Sequence, residues 1–422
     1  MRGKLILVGA VALVLALLLT LAPSCGKGEV GPGVTPTPGT PGVTPTPTPQ
    51  AKTLKMGLIA PLSGAGAGWG VPTEAGAKWA AARINEAGGF KVGADTYVIK
   101  IVSCDTRLSN STALECLTRL VYDEGIRYIV AYHAGALEVA TKMTAEEKVF
   151  TIEYSASHTF TLKPEMPYRI NGFPMGPDCL WSTYFSQMVA KRHPEIKTVA
   201  LVTSITSREN FHVCGMRAAE EVGWTVVAED FYEGGIIDFY PILTKFVAKN
   251  PDAIGLQDSN PGAMALMIKQ ARELGYTGVM FAPNPILPEF LIPITGVAAA
   301  EGYLNNGPDY SSDLFPEATR ALHADYLKRY PKIGTSTTTL AAFVGVNLYV
   351  KGIQVAGSTD TDAVRAVFDD PNFRFEFLGL VNQKFGGIET YGIARQMPHP
   401  LVLAEYQNGK SVALDMMMCE VP

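Results

Sequence analysis

The sequence predicts an α/β protein with two lobes, each a parallel sheet flanked by helices. The chain has 422 residues, more than one compact core usually holds. From residue 53 onward, short apolar strands alternate with amphipathic helices, which is the pattern of a parallel sheet covered on both faces. The alternation restarts after "RINGF" at 169–173, so a second α/β module follows the first.

The first module opens with the strand "LKMGLIA" and a helix near 73–87. The strands "YVIKIVS", "IRYIVAY" and "VFTIEYS" follow, separated by helices at 111–125 and roughly 136–147. Thr112 and Glu115 have the spacing of a capping box, which predicts the start of the first of these two helices.

The second module repeats this order. Its predicted strands are "TVALVTS", "TVVAEDFY", "AIGLQDS" and "GVMFAPN", and its helices lie near 177–192, 207–223, 240–249 and 261–276. A final segment, 286–422, carries helices near 316–330 and 338–356 and a strand pair around "LVLAEYQNGKSVALD". Open α/β sheets bind ligands at the carboxyl ends of their strands, so we expect a ligand site in a cleft between the lobes.

The first 25 residues have the order of a secretory signal peptide. Arg2 and Lys4 precede an apolar run at 5–21, which is followed by "LAPSC". A membrane anchor is the alternative, although a span usually needs about 20 apolar residues. The residues around Cys25 resemble a bacterial lipobox, whose cysteine is lipidated. We therefore predict a signal peptide with a lipobox at 1–25 and lipidation of Cys25.

Residues 26–52 predict a linker rich in Pro, Thr and Gly. Repeated Thr-Pro favours an extended, semi-rigid chain. Directly after a lipidated cysteine, such a spacer would hold a folded domain off a membrane, whereas the alternative is a tail without a role. We expect an exported protein, anchored through its lipid at the outer face of the bacterial cytoplasmic membrane or in the periplasm.

The sequence carries no local signal of an enzyme. The net charge of −5 and the absence of a block of Lys and Arg argue against a nucleic-acid partner. The glycines of "LSGAGAGWG" do not have the GxGxxG spacing of a dinucleotide site, and "NGKS" at 408–411 lacks the first glycine of a P-loop. The six histidines are scattered, without HExxH, and no serine has the GxSxG pattern. We expect no enzymatic activity, no cofactor and no metal ion.

Cysteine usage agrees with export. Five cysteines follow Cys25, and an odd number leaves at least one thiol outside disulfides. No two of these five cysteines have the CxxC spacing of a zinc or thioredoxin motif. We predict the pairs Cys104–Cys116 and Cys179–Cys214.

The opening "LKMGLIAPLSGAGAGWG", followed by "EAGAKWAAARINEAGG", resembles the leucine/isoleucine/valine-binding proteins, the type I periplasmic substrate-binding components of ABC importers. The resemblance continues in order through "SCDTR", "IRYIVAYHAG", "YSASH", "IKQARELGY" and "HPLVLAEYQNGK". It implies two Rossmann-like lobes joined by crossing segments, here expected near 171, 284 and 378. The expected lobes are 53–171 plus 286–378 and 172–285 plus 379–422.

The resemblance implies a role for the aromatic residue in the glycine-rich loop. In the family an aromatic residue there lies over the ligand, and Trp69 matches this position. The alternative is that Trp69 packs against the first lobe.

The resemblance also implies how a ligand carboxylate is held, by backbone N–H groups and hydroxyls at two strand ends. One strand end is "HAGALE", where Gly135 and Ala136 match by position and the start of a helix favours an anion. The other is "YSAS", where Ser155 and Ser157 match. Turn or cap residues are the alternative for both serines.

In the second lobe the chain departs from the family pattern. Amino-acid binders often pair the ligand ammonium with an acidic residue where this chain has Asn284. A buried ammonium without a carboxylate is costly. Either Asp258 supplies the charge or the ligand lacks an ammonium, and Asp258 could equally be a helix N-cap. Glu153 is a third candidate.

These residues together predict an extracytoplasmic substrate-binding lipoprotein of an ABC importer. It would capture a small amino acid, or a related carboxylate or amide, and deliver it to a membrane permease. The alternative is a ligand-sensing receptor domain of the same fold. An exported hydrolase is a third class, which would consume its ligand.

Overall fold

Two sheets, each covered by helices, organise the folded part of the chain. The computed structural model describes residues 51–132, 134–154, 162–173, 179–257, 259–307 and 309–422, with the backbone alone at 134–136. One compact unit, Pro49–Pro422, contains every helix and strand given below. The predicted signal peptide, Cys25 and the linker up to residue 50 lie outside the described residues.

The first sheet has the strand order β2-β3-β1-β4-β5-β6. Its strands are β1 Lys52–Ala60, β2 Phe90–Val92, β3 Asp95–Asp105, β4 Tyr128–Ala131, β5 Phe150–Glu153 and β6 Arg169–Asn171. Neighbouring strands pair in parallel except for β2, which is antiparallel to β3.

The second sheet mixes parallel strands with an antiparallel pair at one edge. The remaining strands are β7 Thr198–Ser204, β8 Thr225–Tyr232, β9 Ala253–Gln257, β10 Val279–Ala282, β11 Leu304–Asn305, β12 Phe375–Phe377, β13 Leu380–Gln383, β14 His399–Gln407 and β15 Lys410–Cys419. The sheet order is β15-β14-β11-β10-β9-β7-β8, and β12 and β13 form a separate hairpin.

Helices follow most strands and cover both sheets. They are α1 Ala67–Glu86, α2 Asn110–Thr118, α3 Ala134–Val139, α4 Thr141–Glu146, α5 Leu180–Arg192, α6 Val213–Glu221, α7 Tyr240–Ala248, α8 Pro261–Glu273, α9 Pro288–Ala300, α10 Glu317–Arg329, α11 Thr337–Ala356, α12 Thr361–Asp369 and α13 Ile388–Tyr391. Two π-helical turns, Arg119–Asp123 and Arg208–His212, adjoin α2 and α6.

The predicted α/β fold is confirmed, and β7 and β8 have the predicted bounds. The predicted capping box is wrong: the N-cap of α2 is Ser109, whose hydroxyl accepts from the Thr112 N–H. The predicted helix at 136–147 is two short helices that meet at Ala140.

The second crossing between the lobes occurs later than the sequence indicates. β11 pairs with β10 and β14 in the second sheet. The stretch from 286 to Asn305, which the predicted boundary assigns to the first lobe, therefore belongs with the second. The third predicted crossing, near 378, lies in the β12–β13 hairpin, and the chain enters the second sheet only at His399.

α11 is the central helix of the first lobe. It is long and apolar enough to cross a membrane, but most of it is buried inside the protein. It packs against α1, where a Cβ at Gly76 would collide with the carbonyl oxygen of Thr339. The Tyr349 hydroxyl donates to the Ile129 carbonyl in β4, at 2.8 Å. We therefore interpret α11 as a core helix.

Both predicted disulfides are confirmed. Cys104–Cys116 joins β3 to α2, and Cys179–Cys214 joins the residue before α5 to α6. Their Cα atoms are 5.7 and 5.1 Å apart. Cys419 is buried at the end of β15 and belongs to neither bond.

Candidate functional site

The segment after β1, residues 61–70, contains a loop and the first turn of α1 and is held in place by one carboxylate. Asp105, at the end of β3, accepts hydrogen bonds from the N–H of Leu62 at 2.8 Å and the hydroxyl of Ser63 at 2.6 Å. It also accepts from the Arg107 N–H at 2.9 Å. Burial alone would raise the pKa of Asp105, but these hydrogen bonds outweigh it and lower the pKa. We call residues 61–70 the glycine loop.

Its glycines allow the chain to approach itself and the other lobe. A Cβ at Gly66 would lie 2.9 Å from the Pro61 side chain, and one at Gly70 would collide with the Pro61 carbonyl oxygen. A Cβ at Gly68 would lie 2.9 Å from Cγ of Pro261, at the start of α8 in the second lobe. These glycines therefore let the chain pass close to Pro61 and to Pro261.

Trp69 lies in the first turn of α1 and reaches across to the second lobe. Its indole N–H donates to the carbonyl oxygen of Pro285 at 3.2 Å, and only 7% of the residue is exposed. The apolar residues buried with it come mainly from the second lobe. The Trp69 carbonyl accepts from the hydroxyls of Thr73 and Thr338. Trp69 thus joins the lobes, and its contact with a ligand stays a prediction.

Asn284 lies in a proline-rich loop, residues 283–288, that follows β10. The residue is buried, with 7% exposed. Aromatic donors hold the backbone on both sides of it: Trp181 donates to the Pro283 carbonyl at 3.0 Å and Tyr406 to the Ile286 carbonyl at 2.7 Å. With the bond from Trp69, these contacts give what we call the proline loop a defined position.

The neighbouring strand end, after β9, is also polar and neutral in its described residues. The Ser259 hydroxyl is fully buried and has no hydrogen-bond partner within the described ranges. Asp258 itself lies outside the described residues. The N-cap of α8 is Asn260, which accepts from the Ala263 N–H at 3.0 Å. The alternative role of Asp258 as that cap is therefore wrong.

In the first lobe, Gly135 and Ala136 belong to the first turn of α3, and Ser155 and Ser157 lie outside the described residues. Glu153, the third candidate for an ammonium partner, is buried at the end of β5.

A buried arginine balances Glu153. Arg169 in β6 lies 3.6 Å from its carboxylate, and burial lowers the pKa of Arg169 to about 10 even though Glu153 acts in the opposite direction. The charge of Glu153 is thus already balanced within the protein.

Tyr132 and Pro285 adjoin Trp69 and were not predicted from the sequence. Tyr132 directly follows β4, and its ring centroid lies 5.9 Å from that of Trp69. An aromatic residue at the carboxyl end of a buried strand was the available signal, because such ends face the expected cleft. No local signal marks Pro285, which contributes only its backbone carbonyl.

A second aromatic group surrounds His399 where the chain enters β14. The His399 imidazole ring stacks on Phe173, with ring centroids 5.1 Å apart. Its centroid lies 5.5 Å from that of Trp181 and 5.2 Å from that of Phe377. Burial lowers the pKa of His399 to about 3. Neither ring nitrogen has a hydrogen-bond partner in the described part of the chain.

Metal-binding groups do not form a cluster in the described residues, where no three His, Cys, Asp or Glu side chains are placed to share an ion. The described groups that meet between the two sheets are aromatic, amide and backbone groups. These groups can bind a small molecule through hydrogen bonds and apolar contact.

The chain is similar to known binding proteins. It is 25% identical over 319 residues to the leucine-, isoleucine-, valine-, threonine- and alanine-binding protein of Pseudomonas aeruginosa, covering 74% of this chain and 81% of that protein. The fold is shared with the branched-chain amino acid transporter substrate binding protein of Streptococcus pneumoniae, solved in complex with isoleucine. That match has a TM-score of 0.73 and 21% identity, and it covers 87% of this chain and 100% of the other.

A third similar protein is an ABC transporter solute binding protein from R. palustris, solved in complex with benzoate. Its TM-score is 0.70 at 19% identity, over 86% of this chain and 96% of the other. The model of the periplasmic binding protein family matches residues 53–410, which is most of the chain. The chain therefore belongs to the periplasmic binding protein family, in its leucine/isoleucine/valine-binding-like type I branch.

Proposed function

We propose that this chain is the extracytoplasmic substrate-binding lipoprotein of an ABC importer. It captures a small amino acid, or a related carboxylate or amide, in the cleft between its lobes and delivers it to a membrane permease. Membership of a binding-protein family supports a role without catalysis. The relative from Pseudomonas aeruginosa is named for binding amino acids, which supports the ligand class.

The hydrogen bond from Trp69 to Pro285 is the observation that carries this proposal. It joins the first helix of one lobe to the loop after β10 in the other, at the carboxyl ends of both sheets. A ligand that contacts both lobes favours the closed arrangement by its differential affinity for that state. Trp69 is placed to complete such a closed cleft, and we propose that it also covers the ligand.

The first lobe supplies the carboxylate site in this proposal. Gly135 and Ala136 lie in the first turn of α3, where backbone N–H groups have no acceptor within the helix. Ser155 and Ser157 add hydroxyl donors from the next strand end. Each of these groups can donate a hydrogen bond to a carboxylate oxygen.

In this proposal, residues of the second lobe determine whether the cleft accepts a ligand with an ammonium group. The Streptococcus pneumoniae protein was solved with isoleucine, which has one, and the R. palustris protein with benzoate, which does not. In this chain Asn284 is a buried neutral amide, so Asp258 is the residue we propose as the partner of an ammonium, if the ligand has one.

A thermal-shift panel tests the proposal. The unit Pro49–Pro422 would be unfolded, washed, refolded and heated with amino acids and with carboxylates and amides that lack an ammonium. A ligand at a hundred times its dissociation constant adds about 2.7 kcal/mol of stability. No shift with any member of the panel would contradict the proposed ligand class.

The variant Asp258→Asn separates the two ligand types. If the ligand is an amino acid such as isoleucine, the variant should lose the shift because the ammonium loses its charged partner. If the ligand resembles benzoate, the shift should persist in the variant. Asn284→Asp is the reciprocal change and should weaken binding of a ligand without an ammonium, since it places a second negative charge near a carboxylate.

Anchoring and delivery need separate measurements in cells. Labelling with radioactive palmitate should mark the wild-type chain and not Cys25→Ala, and the variant should leave the membrane fraction. Deleting the gene should reduce uptake of the ligand found in the panel. Unchanged uptake would instead favour the sensing role.

A further inference from the structure

A second hydrogen bond joins the lobes near the surface. The carboxylate of Glu289, in the first turn of α9, accepts from the backbone N–H of Gly334. α9 precedes β11 and so belongs to the second lobe, whereas Gly334 lies in the loop between α10 and α11 of the first. The Glu289 side chain is exposed, which places this contact outside the buried surroundings of Trp69 and Asn284.

The glycine at 334 suits this contact for a steric reason. A Cβ there would lie 2.5 Å from Oε1 and 2.9 Å from Oε2 of Glu289. Gly334 does not have a positive φ, so its backbone conformation does not require glycine. The absence of a side chain at Gly334 lets the Glu289 carboxylate approach from the other lobe.

The contact lies beside the one that Trp69 makes. In the second lobe, Pro285 and Glu289 are four residues apart. In the first lobe, Gly334 precedes Thr338 by four residues, and Thr338 donates to the carbonyl of Trp69 at 3.2 Å. The two bonds across the cleft are therefore connected through short stretches of chain on both sides.

We propose that Glu289 is a positioning residue that holds the lobes closed through Gly334, and that it raises ligand affinity without touching the ligand. A hydrogen bond to an ionised carboxylate is stronger than one between neutral groups, and it is made only when the lobes are together. The effect on affinity rests on the proposed function, whereas the effect on closure does not.

Hydrogen exchange at the tryptophan indoles measures closure without any ligand. In the unit Pro49–Pro422 labelled with 15N-tryptophan, the Trp69 signal reports the bond across the cleft. Trp79 and Trp181 report bonds within the first and second lobes, to Asp325 and to Pro283. In Glu289→Ala we expect the Trp69 indole to exchange about tenfold faster, since one charge-assisted but exposed bond is lost. Trp79 and Trp181 should not change.

Two further variants sharpen the test. Glu301→Ala is the matched control, because Glu301 follows α9 and accepts from the Asn408 N–H within the second lobe. It should leave Trp69 exchange as in the wild type. Gly334→Ala keeps the charge of Glu289 but pushes it away, and it should act like Glu289→Ala.

The results separate the possible roles. Unchanged Trp69 exchange in both Glu289→Ala and Gly334→Ala would overturn the proposal. Equal acceleration at Trp69, Trp79 and Trp181 would also overturn it, because it would show general destabilisation. If the ligand panel gives no hit, the exchange result still stands and only the proposed function fails.

Discussion

The two loops that meet at the cleft reach a defined shape by opposite means. The glycine loop bends where side chains are absent, with φ of +72° at Gly64, and it is held by Asp105 of its own lobe. In the proline loop, prolines limit the backbone and have no N–H to donate. Its carbonyls accept from side chains far away in sequence, such as Tyr406.

This difference shows where closure acts on each loop. The glycine loop keeps its Asp105 contacts whether the lobes are open or closed, because both partners lie in the first lobe. The proline loop gains the donor Trp69 only when the lobes meet. We therefore expect the proline loop to lose the Trp69 bond when the cleft opens and to keep the bonds from Trp181 and Tyr406, which lie within the second lobe.

Removing the indole that joins the loops should give the largest effect. In Trp69→Ala the closed state loses a buried aromatic side chain and the bond to Pro285. Large aromatic residues that become alanine in a core cost about 3–5 kcal/mol. The surroundings of Trp69 come mainly from the second lobe, so this cost falls on the closed state that binds ligand. We therefore expect the affinity for ligand to fall by about 100-fold or more. Calorimetric titration with the ligand from the panel measures it.

Trp69→Phe is the matched control for the indole N–H. It keeps an aromatic ring but cannot donate to Pro285, so affinity should fall by about tenfold or less. If Trp69→Ala binds as tightly as the wild type, neither the joining of the lobes nor the proposed ligand contact can depend on this residue.

Each loop also has a disulfide beside its anchor, and these bonds should give the next largest effects. Cys104 precedes Asp105, and Cys179 lies two residues before Trp181. By the entropy of loop closure, a disulfide between cysteines 12 residues apart adds about 3 kcal/mol to the free energy of unfolding, and one between cysteines 35 apart adds somewhat more.

Paired serine variants compare the two bonds. In urea unfolding, Cys179→Ser/Cys214→Ser should be less stable than Cys104→Ser/Cys116→Ser. The reverse order would show that local packing, not loop length, sets the contribution of each bond.

The sequence predicted the frame of this molecule well because the frame depends on local patterns. β7 and β8 are continuous runs rich in β-branched residues, and their bounds are as predicted. The second crossing was misplaced because the short strand β11 joins the second sheet through pairing with β10 and β14, which no local pattern shows.

The sequence singles out candidate site residues only where a side chain stands out locally. Trp69 stands between glycines, and Asn284 replaces an expected acid. The contacts between the lobes join distant residues: Pro285 is 216 residues from Trp69, and Gly334 is 45 from Glu289. A backbone group takes part in both contacts, and a backbone group looks the same in any sequence.

Acid should first lower the stability of the whole fold through His399. Burial lowers the folded pKa to about 3 from about 6.5 in the unfolded chain, so the unfolded state binds the proton more readily. Stability is therefore lost as pH falls below about 6.5, by about 2 kcal/mol at pH 5. His399 contacts Trp181, which holds Pro283.

Urea unfolding at pH 7 and pH 5 checks this expectation. The wild type should lose more stability between the two values than His399→Leu, which cannot take up a proton. An equal loss in both proteins would mean that other groups cause the acid sensitivity.

Asp105 should add to this acid sensitivity only at lower pH and more weakly. Its folded pKa is lowered, so its contribution to stability is present above the unfolded value near 3.9 and is lost as pH falls through the folded pKa. In Asp105→Asn the amide keeps one acceptor oxygen for the Leu62 and Arg107 N–H groups, and the Ser63 hydroxyl can rotate to accept. Because the group is partly exposed, we expect a loss of about 1 kcal/mol at pH 7. Between pH 7 and pH 5 the variant and the wild type should lose stability in parallel. A gap between them that changes over this range would show that Asp105 titrates higher than its hydrogen bonds indicate.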